Sequence, residues 1–256
     1  MPLLESLSPL AASLNLLLIL LSMLTSAFTA AVGAGGGVLM IMALAQVMPV
    51  AALIPVHGMV QLGSNVGRTV MTWRHIDRVT LAAFLPGVAL GALAAAWLLI
   101  RLPAGVLELC IAAFVLFTLW GPGLSGRALG RVGTLIVGAV TTLLSSLVGA
   151  SGPVVAAFIK QRQTGRLAKV ATFSACMVAQ HLTKAFVFGM AGFVFHDWLA
   201  LMLAMVAAGF LGTWLGLRLL HRLSERRFDA LFRWALTLLA LRLAWLGAQN
   251  LGLGLD

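Results

Sequence analysis

Acidic residues are almost absent from this chain: Asp and Glu number 7 in 256 residues, against 17 Lys and Arg. All charged residues together make up 9% of the chain, where an ordinary soluble domain carries roughly 25%. No long polar stretch interrupts the sequence, which argues against a separate soluble domain. The acidic residues Glu5, Asp77, Glu108, Asp197, Glu225, Asp229 and Asp256 fall at the termini, in loops or at the ends of apolar segments. None lies deep enough to hold sodium or a proton in the middle of a membrane, which weighs against a cation substrate. The two cysteines, Cys110 and Cys176, sit in apolar segments. Neither a disulfide framework nor a metal motif is therefore indicated. No Walker-type phosphate loop is present, which argues against direct ATP coupling within the chain. No Lys or Arg precedes the first apolar segment, so no cleaved signal peptide is expected.

What remains is 61% hydrophobic, with a mean hydropathy of +1.06. That composition predicts an all-α polytopic membrane protein whose main partner is the lipid bilayer. The net charge of +10 could suggest nucleic acid, but the placement of the basic residues explains it better, and no nucleic acid partner is expected.

The organising stretch is Gly33-Ala34-Gly35-Gly36-Gly37. Shifted by 116 positions, Val32, Gly33, Ala34, Gly36 and Val38 fall on Val148, Gly149, Ala150, Gly152 and Val154, all identical, and Thr25, Ser26 and Thr29 fall on Thr141, Thr142 and Ser145. The chain therefore reads as two copies of one unit, residues 1–125 and 126–256. Glycine costs roughly 1 kcal/mol relative to alanine inside a helix, so each cluster ends a helix. Pro153 suits the first position of a new one. Broken backbone at membrane depth survives where protein buries it or a wet cavity lines it. The plainer alternative is a glycine face for close helix packing, which is also the reading for Gly87, Gly91, Gly209, Gly212 and Gly216. Trp73, Trp120, Trp198 and Trp245 lie near segment ends, as interfacial anchors do.

Full-length apolar segments are predicted at about 51–73, 78–101, 104–120, 167–189, 197–219 and 227–248, with interrupted segments at 10–48 and 131–162. If each interrupted segment returns to the side it came from, Arg74, Arg78, Arg127, Arg131, Lys160, Arg162, Arg166, Lys169, Arg218, Arg222, Arg226 and Arg227 share one face. Only Arg101 is left opposite. That face should be cytoplasmic, with both termini outside. Each copy then makes an odd number of crossings. The expected architecture is two inverted repeats, each a broken re-entrant helix pair plus three transmembrane helices.

Polar groups inside the membrane mark the candidate site. His57, Gln61, Ser64, Asn65 and Arg68 form a stripe at helical spacing, and the second copy carries Ser174, Gln180, His181, Thr183 and Lys184. Arg68 and Lys184 occupy equivalent positions. Intramembrane cations usually face the protein interior and often mark substrate paths, although either residue could reach an interface instead. Each short helix starts at a glycine break, so its free N–H groups and positive dipole end point into the membrane. The residues expected to bind substrate are Thr25, Ser26, Thr29, Gly33, Gly35, Gly36 and Gly37, His57, Gln61, Asn65 and Arg68, and in the second copy Thr141, Thr142, Ser145, Gly149, Ser151, Gly152, Gln180, His181 and Lys184. Together they suit a small oxyanion. His57 and His181 are the mid-membrane groups able to titrate near neutrality, which opens a proton-coupling role. No cofactor is required. Two rivals are a metal-cation carrier using His57, His181 and Cys176, and an intramembrane enzyme or assembly factor pairing Ser174 with His181.

The two glycine clusters, with Arg74-His75-Ile76-Asp77 and Phe195-His196-Asp197-Trp198 before the helices that follow, make the chain resemble the TauE/SafE family of membrane permeases, over nearly its whole length. Ser151 and Pro153 stand where that family often keeps glycine, and Val56-His57 where it often has Thr-Ser. The resemblance implies a duplicated permease moving small sulfur-containing anions such as sulfite, sulfonates and sulfoacetate, usually outward across the bacterial inner membrane.

Overall fold

The computed structural model describes residues 2–32, 35–99, 103–121, 130–163, 165–219 and 225–253. Gly33, Arg101, Arg127 and Arg222 lie outside the described residues. All regular structure among the described residues is helical. A short α1 (Pro2–Glu5) precedes α2 (Ala12–Val32), α3 (Gly36–Leu44), α4 (Val50–Thr72), α5 (Arg78–Leu99) and α6 (Ala104–Trp120). The second half holds α7 (Arg131–Val148), α8 (Gly152–Arg162), α9 (Arg166–Met190), α10 (Leu199–Leu219) and α11 (Glu225–Asn250). Short 3-10 turns at Trp73–His75 and Phe195–Trp198 lead into α5 and α10.

Among the described residues, four helices are long and apolar enough to cross a membrane, with windows at Ala12–Thr29, Arg78–Leu98, Arg131–Val148 and Phe195–Leu215. Helices α4 and α9 are longer, at 23 and 25 residues, and carry the polar stripes. Val132, Ile136 and Val140 are exposed at four-residue spacing on α7, as are Leu16, Leu20 and Leu24 on α2. Such apolar stripes at helical period suit lipid.

Both breaks are true interruptions. Gly35 precedes α3 at φ 107°, and Gly149 closes α7 at φ 78°, donating its N–H to the Ser145 carbonyl at 3.0 Å. Positive φ is nearly free for glycine and strained for other residues. Helix α3 is buried through Val38, Met40, Ile41, Met42 and Leu44, and shares one apolar core with Leu53, Ile54 and Val56 of α4 and Leu236 of α11. It is held inside protein, as broken backbone requires.

The long helices pack in four principal pairs: α2 with α10, α5 with α7, α4 with α9, and α6 with α11. Ser22 Oγ donates to the Met205 carbonyl at 2.7 Å, and Gly209 faces Ser26 Oγ four residues later. The numbering of α2 and α10 advances together, so this pair runs parallel. The same holds for α5 and α7, where a Cβ on Gly87 would strike the Leu135 carbonyl and one on Gly91 the Ala139 carbonyl. In α4 and α9 the order reverses: Gly58 lies against Lys184, while Asp77, just past the end of α4, meets Thr172. It reverses in α6 and α11 as well, where Gly105 faces Gly247 and Trp120 Nε1 donates to Thr237 Oγ1 at 2.9 Å. Gly87, Gly91, Gly209 and Gly212 thus lie against neighbouring helices, as small-residue faces should. Trp198 departs from expectation: it is 7% exposed within the main core, whereas Trp73, Trp120 and Trp245 stay about half exposed. The 3-10 turn rotates its indole inward, which position along the sequence did not reveal.

Candidate functional site

The two breaks open onto one cavity of about 40 Å³, room for roughly three waters. From the first half its wall takes Thr29, Gly35, Gly37, His57, Gln61, Asn65 and Arg68; from the second it takes Gly149, Ala150, Gly152, Pro153, Phe173, Met177 and His181. His57, Gln61 and Asn65 stand at the same repeat positions as Phe173, Met177 and His181, 116 residues apart. Equivalent faces of α4 and α9 therefore meet across the cavity, polar on α4 and mostly apolar on α9.

The α4 stripe is tied to the backbone around it. His57 Nε2 lies 3.0 Å from the Gly37 carbonyl, which can only accept, so this nitrogen carries the proton and links α4 to the head of α3. Gln61 crowds Gly37 closely enough that a Cβ there would strike Nε2. Asn65 Nδ2 donates to the Gln61 carbonyl at 2.8 Å, and its Oδ1 accepts from Arg68 Nη2 at 3.3 Å. Arg68 also donates from Nη2 to Ser64 Oγ at 3.2 Å. Its guanidinium is thus held by neutral oxygens. Among the described residues no carboxylate lines the cavity, so the site carries a cation without a fixed counter-charge from them.

At the heads of the short helices, the first N–H groups have no carbonyl one turn earlier. In α3 the first amides bonded to the Gly35 carbonyl are those of Val38 and Leu39, and among the described residues those of Gly36 and Gly37, which precede them, meet no carbonyl. In α8 they are those of Val154 and Val155, bonded to Ser151, and Pro153 brings no N–H, so Gly152 leads.

Several expected residues lie behind the wall rather than in it. Thr25 is buried and donates to the Ser22 carbonyl at 3.3 Å, and Ser26 faces Gly209 on α10. Gly36 is wedged against the Thr25 carbonyl and Thr29 Oγ1. Gln180 acts as a clamp: Nε2 donates to Thr141 Oγ1 at 2.7 Å, and Oε1 accepts from Ser151 Oγ at 2.8 Å. It fixes the second break to α7. Thr142 Oγ1 and Ser145 Oγ are buried without a hydrogen-bond partner. Lys184 is fully buried beside Gly58, outside the cavity wall, and Nζ has no partner. The residues not anticipated are Val38, Ala150, Pro153, Phe173 and Met177. Carrying the α4 stripe forward by 116 positions would have found the last two.

Neither rival chemistry gains support. Among the described residues no three His, Cys, Asp or Glu side chains gather as a metal site would need. Among the described residues, Ser174 Oγ and both ring nitrogens of His181 make no hydrogen bond, to each other or elsewhere.

Outside the spans, Asp77 forms an unforeseen link. Its Oδ1 accepts from the amides of Val79 at 3.0 Å and Thr80 at 3.3 Å. Its Oδ2 accepts from Thr80 Oγ1 and Gln163 Nε2, each at 2.5 Å. Its own amide donates to Thr172 Oγ1 at 2.9 Å. The start of α5 is thereby joined to the end of α8 and to α9. Partial burial raises the carboxyl's pKa, but the donors of Thr80, Gln163 and Val79 outweigh it and hold Asp77 below the usual carboxylate range.

A family model described as "Sulfite exporter TauE/SafE" matches residues 18–243. No curated protein and no solved structure matches the chain.

Proposed function

The chain belongs to the sulfite exporter TauE/SafE family, and from that premise we propose that it is a secondary transporter of a small sulfur oxyanion, of the sulfite, sulfonate or sulfoacetate type. It is a multi-pass membrane protein, placed in this reading in the bacterial inner membrane with both termini outside. One observation carries the proposal. Two broken helices from different halves of the chain present their N-termini to one cavity whose wall, among the described residues, contains Arg68 and no carboxylate. Helix N-termini with an adjacent guanidinium stabilise an oxyanion through N–H donors, dipole and charge together. Gly37, Gly152 and Arg68 supply these groups, Gln61, Asn65 and Thr29 orient the ligand, and Phe173 and Met177 offer an apolar wall for a carbon substituent. Lys184, Thr25, Ser26, Thr141, Thr142, Ser145, Ser151 and Gln180 act from behind the wall, on the placement of the breaks and on the local field.

The transport mechanism in this reading is alternating access between two inverted repeats, residues 1–125 and 126–256. The helix pairing supports it. Exchanging the copies turns α2 against α10 into α7 against α5, and both pairs run parallel. The equivalent helices α4 and α9, and likewise α6 and α11, run antiparallel to each other. A twofold axis in the membrane plane reverses each helix as it maps it onto its equivalent, whereas an axis along the membrane normal would leave equivalents parallel. Export is the direction the family name favours.

The test is flux through the purified full chain in liposomes. Labelled sulfite or sulfoacetate should cross faster than in empty vesicles, and Arg68→Ala should abolish the difference. Folded protein that moves none of these anions would refute the proposal.

A further inference from the structure

In the cavity wall and immediately behind it lies a set of nitrogens with no part in the oxyanion contacts. With His57 Nε2–H donating to Gly37, its Nδ1 holds a lone pair and has no partner. Among the described residues, both ring nitrogens of His181 and the Nζ of Lys184 are also buried and unpartnered. The three side chains form one cluster. The imidazole centroids are 6.3 Å apart, with planes at 80°. Lys184 follows His181 by one helical turn, and its chain lies across Gly58, next to His57. His57 and His181 line the cavity, and Lys184 stands behind them.

Little else titratable is near. Helix α3 carries no such side chain, and those of α5, α7 and α8, namely Arg78, Arg131, Lys160 and Arg162, sit in terminal turns. Helix α10 has only Arg218, in its last turn. Helix α6 brings Cys110 and Glu108, and Glu108 accepts from Asn250 Nδ2 on α11 at 2.7 Å. The 3-10 turns carry Arg74, His75, His196 and Asp197, all exposed. On α4 and α9 the remaining groups are Arg68, Cys176 and, in the first turn of α9, Arg166 and Lys169.

A buried polar group without a partner is costly, and a buried charge without one more so. An anion in the cavity would bring negative charge beside all three side chains and favour their protonated forms. We propose that the His57–His181–Lys184 cluster takes up a proton when the anion binds, so that anion and proton cross together. This inference rests on the anion-site reading. The proton comes from water and bonds to a lone pair of the cluster, at His57 Nδ1, at His181 or at Lys184 Nζ; it returns to water on the far side when the anion leaves. No other bond changes. By reciprocity, proton uptake on anion binding requires anion affinity to fall as pH rises.

The experiment is calorimetric titration of the full-length protein at pH 7 with sulfoacetate and with sulfate, neither of which titrates there. Each titration is made in two buffers of different ionisation enthalpy. The apparent enthalpies should differ between buffers by an amount corresponding to about one proton taken up per anion, as linkage requires. The count should fall in at least one of His57→Gln, His181→Gln and Lys184→Met. Binding with identical enthalpy in both buffers would overturn the inference while leaving the anion site intact. An undiminished count in all three variants would remove it from this cluster. Failure of folded protein to bind either anion, or sulfite tested alongside, would refute the anion site and the inference with it.

Discussion

Alanine at Gly36 and alanine at Gly152 are the same change at equivalent repeat positions, yet the structure predicts opposite outcomes. A Cβ on Gly36 would strike the Thr25 carbonyl and Thr29 Oγ1, with the Thr25 carbonyl carbon 2.9 Å away. The backbone of α2 cannot yield as a flexible side chain could, so α3 must shift and carry its leading amides away from the cavity. Overpacking of this kind costs about 1–3 kcal/mol. A Cβ on Gly152 would meet only Phe173 Cζ, at 4.0 Å, an ordinary contact. Its replacement should change stability by less than about 0.5 kcal/mol, as for a change that creates no clash. Thermal unfolding of the detergent-purified variants measures the difference, and flux in liposomes reports its effect on transport. Gly36→Ala should be clearly destabilised and inactive, and Gly152→Ala close to the parent in stability. Equal loss in both variants, or a larger loss in Gly152→Ala, would refute the packing argument.

Other outcomes follow from particular contacts. Arg68→Ala should weaken anion binding by about ten- to a hundredfold, the range of a lost charged hydrogen bond of about 1.5–3 kcal/mol, and calorimetry reads this directly. Gln180→Leu removes both ties of the clamp and leaves Thr141 and Ser151 with fewer partners; unfolding should show a loss of about 1–3 kcal/mol. Asp77 has a lowered pKa in the folded state, so its stabilising contribution is present above the unfolded value of about 3.9 and is lost as pH falls through the folded value. Melting temperature should therefore decline on acidification below about pH 4, less steeply in Asp77→Ala. That variant should also lose about 0.5–2 kcal/mol at neutral pH through loss of the cap on α5.

The helices were legible because a membrane leaves the backbone few choices. The apolar segments expected at 51–73 and 104–120 appear as the helices α4 at Val50–Thr72 and α6 at Ala104–Trp120, and the interrupted segment at 131–162 as the pair α7 and α8. The interruptions were visible because glycine clusters cannot continue a helix. Side-chain direction was harder to read. Lys184 and Arg68 share a repeat position, but Gly58 leaves room that draws Lys184 behind the cavity, while Arg68 reaches the wall. The role of Gln180 depends on two partners, Thr141 and Ser151, about 30 to 40 residues away in sequence, and no local pattern announces such a bridge. Trp198 turned inward for a similar reason, because the 3-10 turn before α10 sets its direction.

The most direct test of the anion site is thermal stability of the purified protein against sulfite, sulfate, taurine, sulfoacetate and aromatic sulfonates, with chloride and divalent metals as controls. A sulfur oxyanion at a hundred times the parent's dissociation constant should stabilise the fold by about 2.7 kcal/mol, and the same concentration should stabilise Arg68→Ala by only about 0.4–1.4 kcal/mol. Stabilisation by divalent metals alone, or by sulfur oxyanions equally in Arg68→Ala, would contradict the account.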